Sequence, residues 1–512
     1  MAITNTLNVF KGPDSLRRYF DPDEQPPLPM VELPEKLNPF RKDGVRIYAK
    51  LLTTLPAQNV KALPALNMLL HEASADRKGL IEVSSGSTVT SLSVTARVLY
   101  DNPNTTAFVS NKASLDRVRE LQFFGLEVAL YGGPTYTDTT DLRGPVEWAR
   151  QRGRGSSSVI NLGQYDNEYN FKSHARWTGP QIWKQLPEIN IFCMGMGSTG
   201  CVTGTGQYLK SQKPSVTVLG VCNAEADLVP GPRELPMHQT SPFPWKDVTD
   251  FTETVSSEDS YRVSMRLSRE GIISGPSSGM NLHGLFEFLQ RTKRDGTLSQ
   301  YADPTTGEIS CVFICCDLPQ KHIETYFKKL PAEEFRPIVN EDLFDIDQYP
   351  YSFRWEIDPK EPHRQNSEIL DWIKEVDLVY GQGDQRNDPS NAAAATKLRI
   401  IDLRSSAHFE LCHVRNALNL PVRQATESPF DFGDPKVLRT QCEHLASIMK
   451  DSATLRFLNE SVRPLLILDY NGNTSRILAA RLRAQGIEAY TMFDGMPGFL
   501  RFHNNLATTH ET

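Results

Sequence analysis

The chain has 512 residues, 39% of them hydrophobic and 23% charged, with a formal net charge of -7 and a pI near 5.9. That length exceeds one ordinary core and predicts roughly three folding units at about 150 residues each. The acidic balance argues against nucleic acid or an anionic membrane surface as the main partner. No apolar run reaches the roughly 20 residues of a spanning helix, so no membrane partner is expected.

At the start, Met1 to Phe10 lack the basic opening and apolar stretch of a secretory signal. Lys11, Arg17 and Arg18 leave a mitochondrial presequence open as an alternative, opposed by Asp14 and the acidic Asp21–Glu24 run. Eight cysteines without metal-site spacing fit a reducing interior, so a cytoplasmic location and no metal are expected. Residues 1–40, rich in proline and charge, read as an extended arm rather than a core element.

From 41 to 320, short apolar runs alternate with helical patterns. The candidate strands are Gly79–Val83, Thr106–Ser110, Leu126–Leu130, Ile189–Met194 and Val216–Val221, with Ile309–Cys316 as a buried strand whose cysteines are core residues. Helical periodicity falls at Ser114–Phe123 and Trp177–Gln185. This alternation predicts an α/β fold with parallel sheets covered on both faces. Residues 321–395 turn to prolines, charges, a Gly381–Asn391 polar run and alanines, the composition of a linker. A smaller α/β pattern occupies 396–505.

Three motifs bear on chemistry. Gly195-Met-Gly-Ser-Thr-Gly-Cys-Val-Thr-Gly204 follows a strand and feeds a helix, a turn whose backbone N–H groups suit a phosphate. In Gln58-Asn-Val-Lys61-Ala-Leu-Pro-Ala-Leu66 a lysine opens an apolar helix, where partial burial favours the neutral amine that imine formation needs. Ser274-Gly-Pro-Ser-Ser-Gly279 offers small hydroxyls between glycines, able to set a neutral hydrogen bond against a ring nitrogen.

Together, and with Glu82-Val-Ser-Ser-Gly-Ser-Thr88, these motifs resemble the cysteine synthase and cystathionine β-synthase family over about 28–318. The resemblance implies a fold-type II pyridoxal-phosphate enzyme, tryptophan synthase β-like, with two α/β subdomains. It implies pyridoxal 5'-phosphate as cofactor, bound by Lys61, which also serves as the catalytic base. It carries the phosphate to Gly197, Ser198, Thr199, Gly200 and Cys201, the pyridine nitrogen to Ser277, and the cofactor's 3'-oxygen to Ser87. Substrate contacts fall on Ser84, Ser85, Gly86, Thr88 and Gln164, the last in Gln164-Tyr-Asp-Asn-Glu-Tyr-Asn170. Arg176-Trp-Thr-Gly-Pro-Gln-Ile-Trp183 is a further family-like segment.

The implied reaction is β-replacement on an activated serine of the O-acetylserine kind, giving cysteine or a cysteine-like amino acid. The alternative is a β-eliminating lyase that releases an aminoacrylate. A pseudoenzyme that only binds is the third reading, opposed by the retained lysine. A small amino-acid substrate and a homodimer are the expected partners. The sequence departs from the family pattern in three places: Ser87 stands for an asparagine, Thr199 and Cys201 of the phosphate turn for a glycine and a threonine, and Ala62-Leu63 for Asp-Arg. Val89, where dehydratases and racemases of this fold carry histidine, weighs against those activities.

In the last pattern, Leu398–Arg404, Cys412–Pro421, Pro464–Ser475 and Gly495–Phe499 resemble a small α/β rhodanese-like domain. The resemblance places Asp469 where that family's persulfide-bearing cysteine stands. A carboxylate accepts no sulfane sulfur, so this domain is expected to be catalytically silent, which leaves binding of a protein or small molecule, dimer contacts or regulation as its roles. Cys442, on a helical pattern, is read as a packing residue.

Overall fold

A computed structural model describes residues 5–84, 86–133, 141–358, 360–361, 367–381, 397–423, 434–459 and 463–509. The chain divides into two units, Met1–Phe335 and Arg336–Thr512.

In the first unit the strands run β1 (Met30–Glu32), β2 (Val45–Leu51), β3 (Gly79–Val83), β4 (Thr105–Ser110) and β5 (Glu127–Tyr131). They continue as β6 (Val159–Ile160), β7 (Ile191–Gly195), β8 (Thr217–Asn223), β9 (Phe251–Val255) and β10 (Ile309–Cys315). They form two sheets, ordered β1-β2-β10-β7-β8-β9 and β5-β4-β3-β6. Every pairing is parallel except β1 with β2. Each residue of β7, β8 and β10 is buried, which is why these segments read as unbroken apolar runs. The helices Ser87–Tyr100 and Gly200–Gln212 start just past the carboxyl ends of β3 and β7. In parallel sheets that end is where a ligand crevice forms.

Two boundaries differ from the sequence reading. Residues 1–40 are not merely an arm. Leu33, Leu37 and Phe40 lie in one core cluster with Val45 and Ile47, and Asp23 binds Arg176 and the Trp177 indole. The prolines keep the segment extended, yet that suits an edge strand, and the apolar residues between them dock on the sheet. The linker expected over 321–395 is also partly built. Ile323–Lys329 is a helix whose Tyr326 packs edge-on against Tyr261 at 4.8 Å. In Ser367–Lys374, Ile369, Leu370 and Ile373 recur at helical spacing and are buried. Residues 382–396 lie outside the described residues.

The second unit holds β11 (Glu356–Ile357), β12 (Leu378–Tyr380), β13 (Arg399–Asp402), β14 (Cys412–Val414), β15 (Leu418–Asn419), β16 (Leu465–Leu468) and β17 (Ala489–Met492). A parallel sheet is ordered β11-β17-β16-β13-β15, and β12 pairs with β14. Cys442 is 5% exposed within the Pro435–Ile448 helix, as its packing role requires.

Candidate active site

Lys61 caps the N-terminus of the Ala62–Leu70 helix, of which all but the last residue are buried. A helix apolar on every face must lie inside, and it draws its first residue in with it. Asn59 fixes the approach. Its Oδ1 accepts from the Lys61 backbone N–H at 2.9 Å and from the Ser91 hydroxyl at 3.1 Å. Val60 N–H donates to the Cys316 carbonyl at 2.7 Å, tying the lysine to the end of β10. Burial lowers the Lys61 amine below the usual lysine value, and Arg233 adds to the effect. Cys201 and Cys316 are close enough to act on the amine electrostatically. Burial pushes both thiols up to about 12, so both are neutral sulfurs.

The glycine-rich turn follows β7 directly. Thr199 adopts left-handed geometry (φ +66°) and caps the 13-residue Gly200–Gln212 helix, whose first N–H groups point outward from its positive end. Asn170 braces the turn: its Nδ2 donates to the Ser198 hydroxyl at 3.0 Å and to the Gln164 carbonyl at 2.6 Å. Gln164 in turn accepts from the Thr88 hydroxyl at 2.7 Å and donates to the Val83 carbonyl at 3.1 Å. The Ser84–Thr88 loop and the turn are therefore joined through two buried amides.

The remaining predicted positions fall as follows. Ser277 is buried in the first turn of the Pro276–Arg294 helix, with its hydroxyl near the Cys316 thiol. Gly86 is extended, and its N–H donates to the Ser84 hydroxyl at 3.2 Å. Ser87 opens the Ser87–Tyr100 helix and accepts from Lys321 at 2.7 Å. Ser85 lies outside the described residues.

Several neighbours carry no sequence signal of their own. A small cavity of about 10 Å³ above Gly197 and Ser198 is walled by Tyr165, Arg233 and His238. Arg233 stacks on the Tyr165 ring at 4.2 Å. Burial pushes His238 down to about 4, and pushes His174, which also feels Lys61, down to about 3, so both imidazoles are neutral near pH 7. Cys316, read as a core residue only, also faces the site. Of these, only Tyr165 belongs to a motif singled out in the sequence for the site, the Gln164–Asn170 segment.

This donor set suits a phosphate-bearing aldehyde. It offers an amine with lowered basicity, an N–H turn at a helix start, and an uncharged buried hydroxyl at Ser277. Among the described residues, the buried Asn170 Oδ1 and His174 Nε2 have no hydrogen-bond partner, so each keeps an unused polar position next to the turn and the lysine.

A family model described as "Pyridoxal-phosphate dependent enzyme" matches residues 23–299, more than half of the chain. The chain belongs to this family. Its relatives include cysteine synthase B of Salmonella typhimurium, 28% identical over 309 residues, which cover 58% of this chain and 92% of the relative. Cysteine synthase B of Pseudomonas aeruginosa is 30% identical over 46% of this chain and 77% of its own. N-(2-amino-2-carboxyethyl)-L-glutamate synthase of Ralstonia nicotianae is 29% identical over 52% and 80%. The protein is thus a pyridoxal-phosphate-dependent enzyme with cysteine synthase-like relatives.

Proposed function

We propose that the first unit catalyses β-replacement on an activated serine of the O-acetylserine kind, yielding cysteine or a cysteine-like amino acid. The observation that carries this reading is the half-buried Lys61, whose amine is desolvated and lies within electrostatic reach of Cys201 of the glycine turn and of Cys316 near Ser277. Lys61 binds the cofactor. Ser198, Thr199 and the backbone of Gly197, Gly200 and Cys201 receive the phosphate. Bound, the cofactor withdraws electrons from the substrate's α-carbon. The Lys61 amine, neutral for part of the time, takes the α-proton. With the cofactor in place, Ser277 would offer the ring nitrogen a neutral hydroxyl, which would leave that nitrogen unprotonated and favour loss of the β-substituent. Ser84, Ser85, Gly86, Thr88 and Gln164 hold the substrate carboxylate. The names of the cysteine synthase relatives support cysteine as the product.

In the second unit, the parallel sheet and the Asp469 loop fit a catalytically silent rhodanese-like domain that binds a protein or small molecule. A cytoplasmic homodimer completes the reading.

Incubating the holoenzyme with O-acetylserine, with and without sulfide, tests the reaction. Sulfide-dependent formation of cysteine is expected. Pyruvate formed equally in both arms identifies a β-eliminating lyase instead. Lys61→Ala is expected to abolish turnover and the visible absorbance of covalently held cofactor, and a variant that kept both would overturn the assignment of Lys61.

A further inference from the structure

Lys321 is left without a role by the reaction above. It lies in the Pro319–His322 turn after β10, only 15% exposed, and its ammonium donates to the Ser87 hydroxyl at 2.7 Å while pairing with Asp317 at 3.0 Å. Asp317 is gripped from a second side. His322 Nε2–H donates to the same carboxylate oxygen at 3.0 Å, while His322 Nδ1 faces the Arg117 guanidinium at 3.5 Å. An arginine only donates, so these partners assign the imidazole as the Nε2–H tautomer. Burial alone would raise the Asp317 carboxyl, but Lys321 and His322 outweigh it and hold it well below the usual carboxylate range. A fixed buried anion thus anchors Lys321 over Ser87.

The direction of the Lys321–Ser87 bond decides what Ser87 can do next. An ammonium has three donors and no acceptor, so the serine oxygen must accept. Its own proton is then available to another acceptor, and a cation behind the oxygen makes that proton a stronger donor. A serine is shorter than asparagine and lacks an amide N–H, the group that this position would otherwise present. We propose that Lys321 is a positioning residue that makes Ser87 a polarised O–H donor to the anionic 3'-oxygen of the bound cofactor. The proposal rests on the reading that Ser87 faces that oxygen.

The test uses the reconstituted full-length protein and reads the ratio of visible to near-ultraviolet absorbance of the bound cofactor. Losing a donor to the oxygen disfavours its anionic, visible-absorbing form. Lys321→Met is expected to lower the ratio by about threefold or more, the scale of one charge-assisted hydrogen bond. Lys321→Arg should preserve it, because a cavity of about 760 Å³ bordering Ser87, Lys321 and His322 accommodates the larger cation. Lys321→Met should add nothing in a Ser87→Ala background, and Ser87→Asn should restore the ratio in the Lys321→Met background. Lys321→Gln, which keeps a neutral donor, is expected to fall between wild type and Lys321→Met and serves if the methionine variant fails to fold. A lowered ratio in Ser87→Ala with none in Lys321→Met overturns the role of Lys321 and leaves the Ser87 reading standing. An unchanged ratio in Ser87→Ala overturns that reading and the proposal with it.

Discussion

The side-chain oxygen of Asn170 occupies the space that a Cβ on Gly200 would need. The two residues come from segments 30 positions apart, and their contact sets how closely the glycine turn lies against the Gln164–Asn170 segment. Gly200→Ala must push Asn170 away and break its bonds to Ser198 and Gln164. The expected outcome is a loss of cofactor affinity of about tenfold, equivalent to about 1.4 kcal/mol. Titrating the apo-protein with pyridoxal 5'-phosphate measures it. An affinity equal to wild type would remove the turn from the phosphate site. Asn170→Ser in the Gly200→Ala background should recover part of the loss, because the smaller side chain vacates the contested space.

Glu82 is the penultimate residue of β3 and is 2% exposed. Burial raises its carboxyl from 4.5 to about 7, although the Val83 N–H donates to it at 3.0 Å. The folded chain therefore holds this proton between pH 4.5 and about 7, where the unfolded chain has released it. By linkage, the stability it contributes is full below pH 4.5 and is lost as pH rises through about 7. The whole effect is on the order of 3 kcal/mol as an upper figure. Urea midpoints of wild type should decline across this window, and Glu82→Gln, neutral throughout, should flatten the decline. Parallel slopes in the two proteins would show that Glu82 is ionised in the fold.

Much of this arrangement was legible in the order of residues. Gly79–Val83 is a strand with the expected bounds, and the Ser114–Phe123 helix begins where Ser114 caps it by accepting from the Arg117 N–H. Those segments carry their own hydrophobic period and cap, so local sequence determines them. The Lys61 helix and the Gly195–Gly204 turn were visible for the same reason. Lys321, Arg233 and His238 were not, because each lies in a turn or loop with no motif and reaches the site only through tertiary folding. Leu33, Leu37 and Phe40 were hidden by the prolines around them. Proline content reports backbone stiffness and says nothing of whether an extended segment docks on a sheet edge.

Asp469 is a structural cap, and that is where its removal should be felt. The carboxylate is 1% exposed and accepts from the Gly472 N–H at 2.6 Å, the Ser475 N–H at 2.9 Å and the Ser475 hydroxyl at 3.3 Å. It thereby closes the 470–475 loop at the start of the Asn473–Ala484 helix. Asp469→Ala would leave two buried N–H groups without an acceptor, at a cost of about 1–3 kcal/mol for each group. Thermal unfolding should show the second unit melting several degrees earlier, while the visible cofactor band of the first unit persists to its usual temperature. Asp469→Asn, which keeps one carbonyl oxygen, should lose about half as much. If Asp469→Ala melted as wild type does, the carboxylate would not be the group that holds the loop, and a ligand-binding role for it would have to be sought instead.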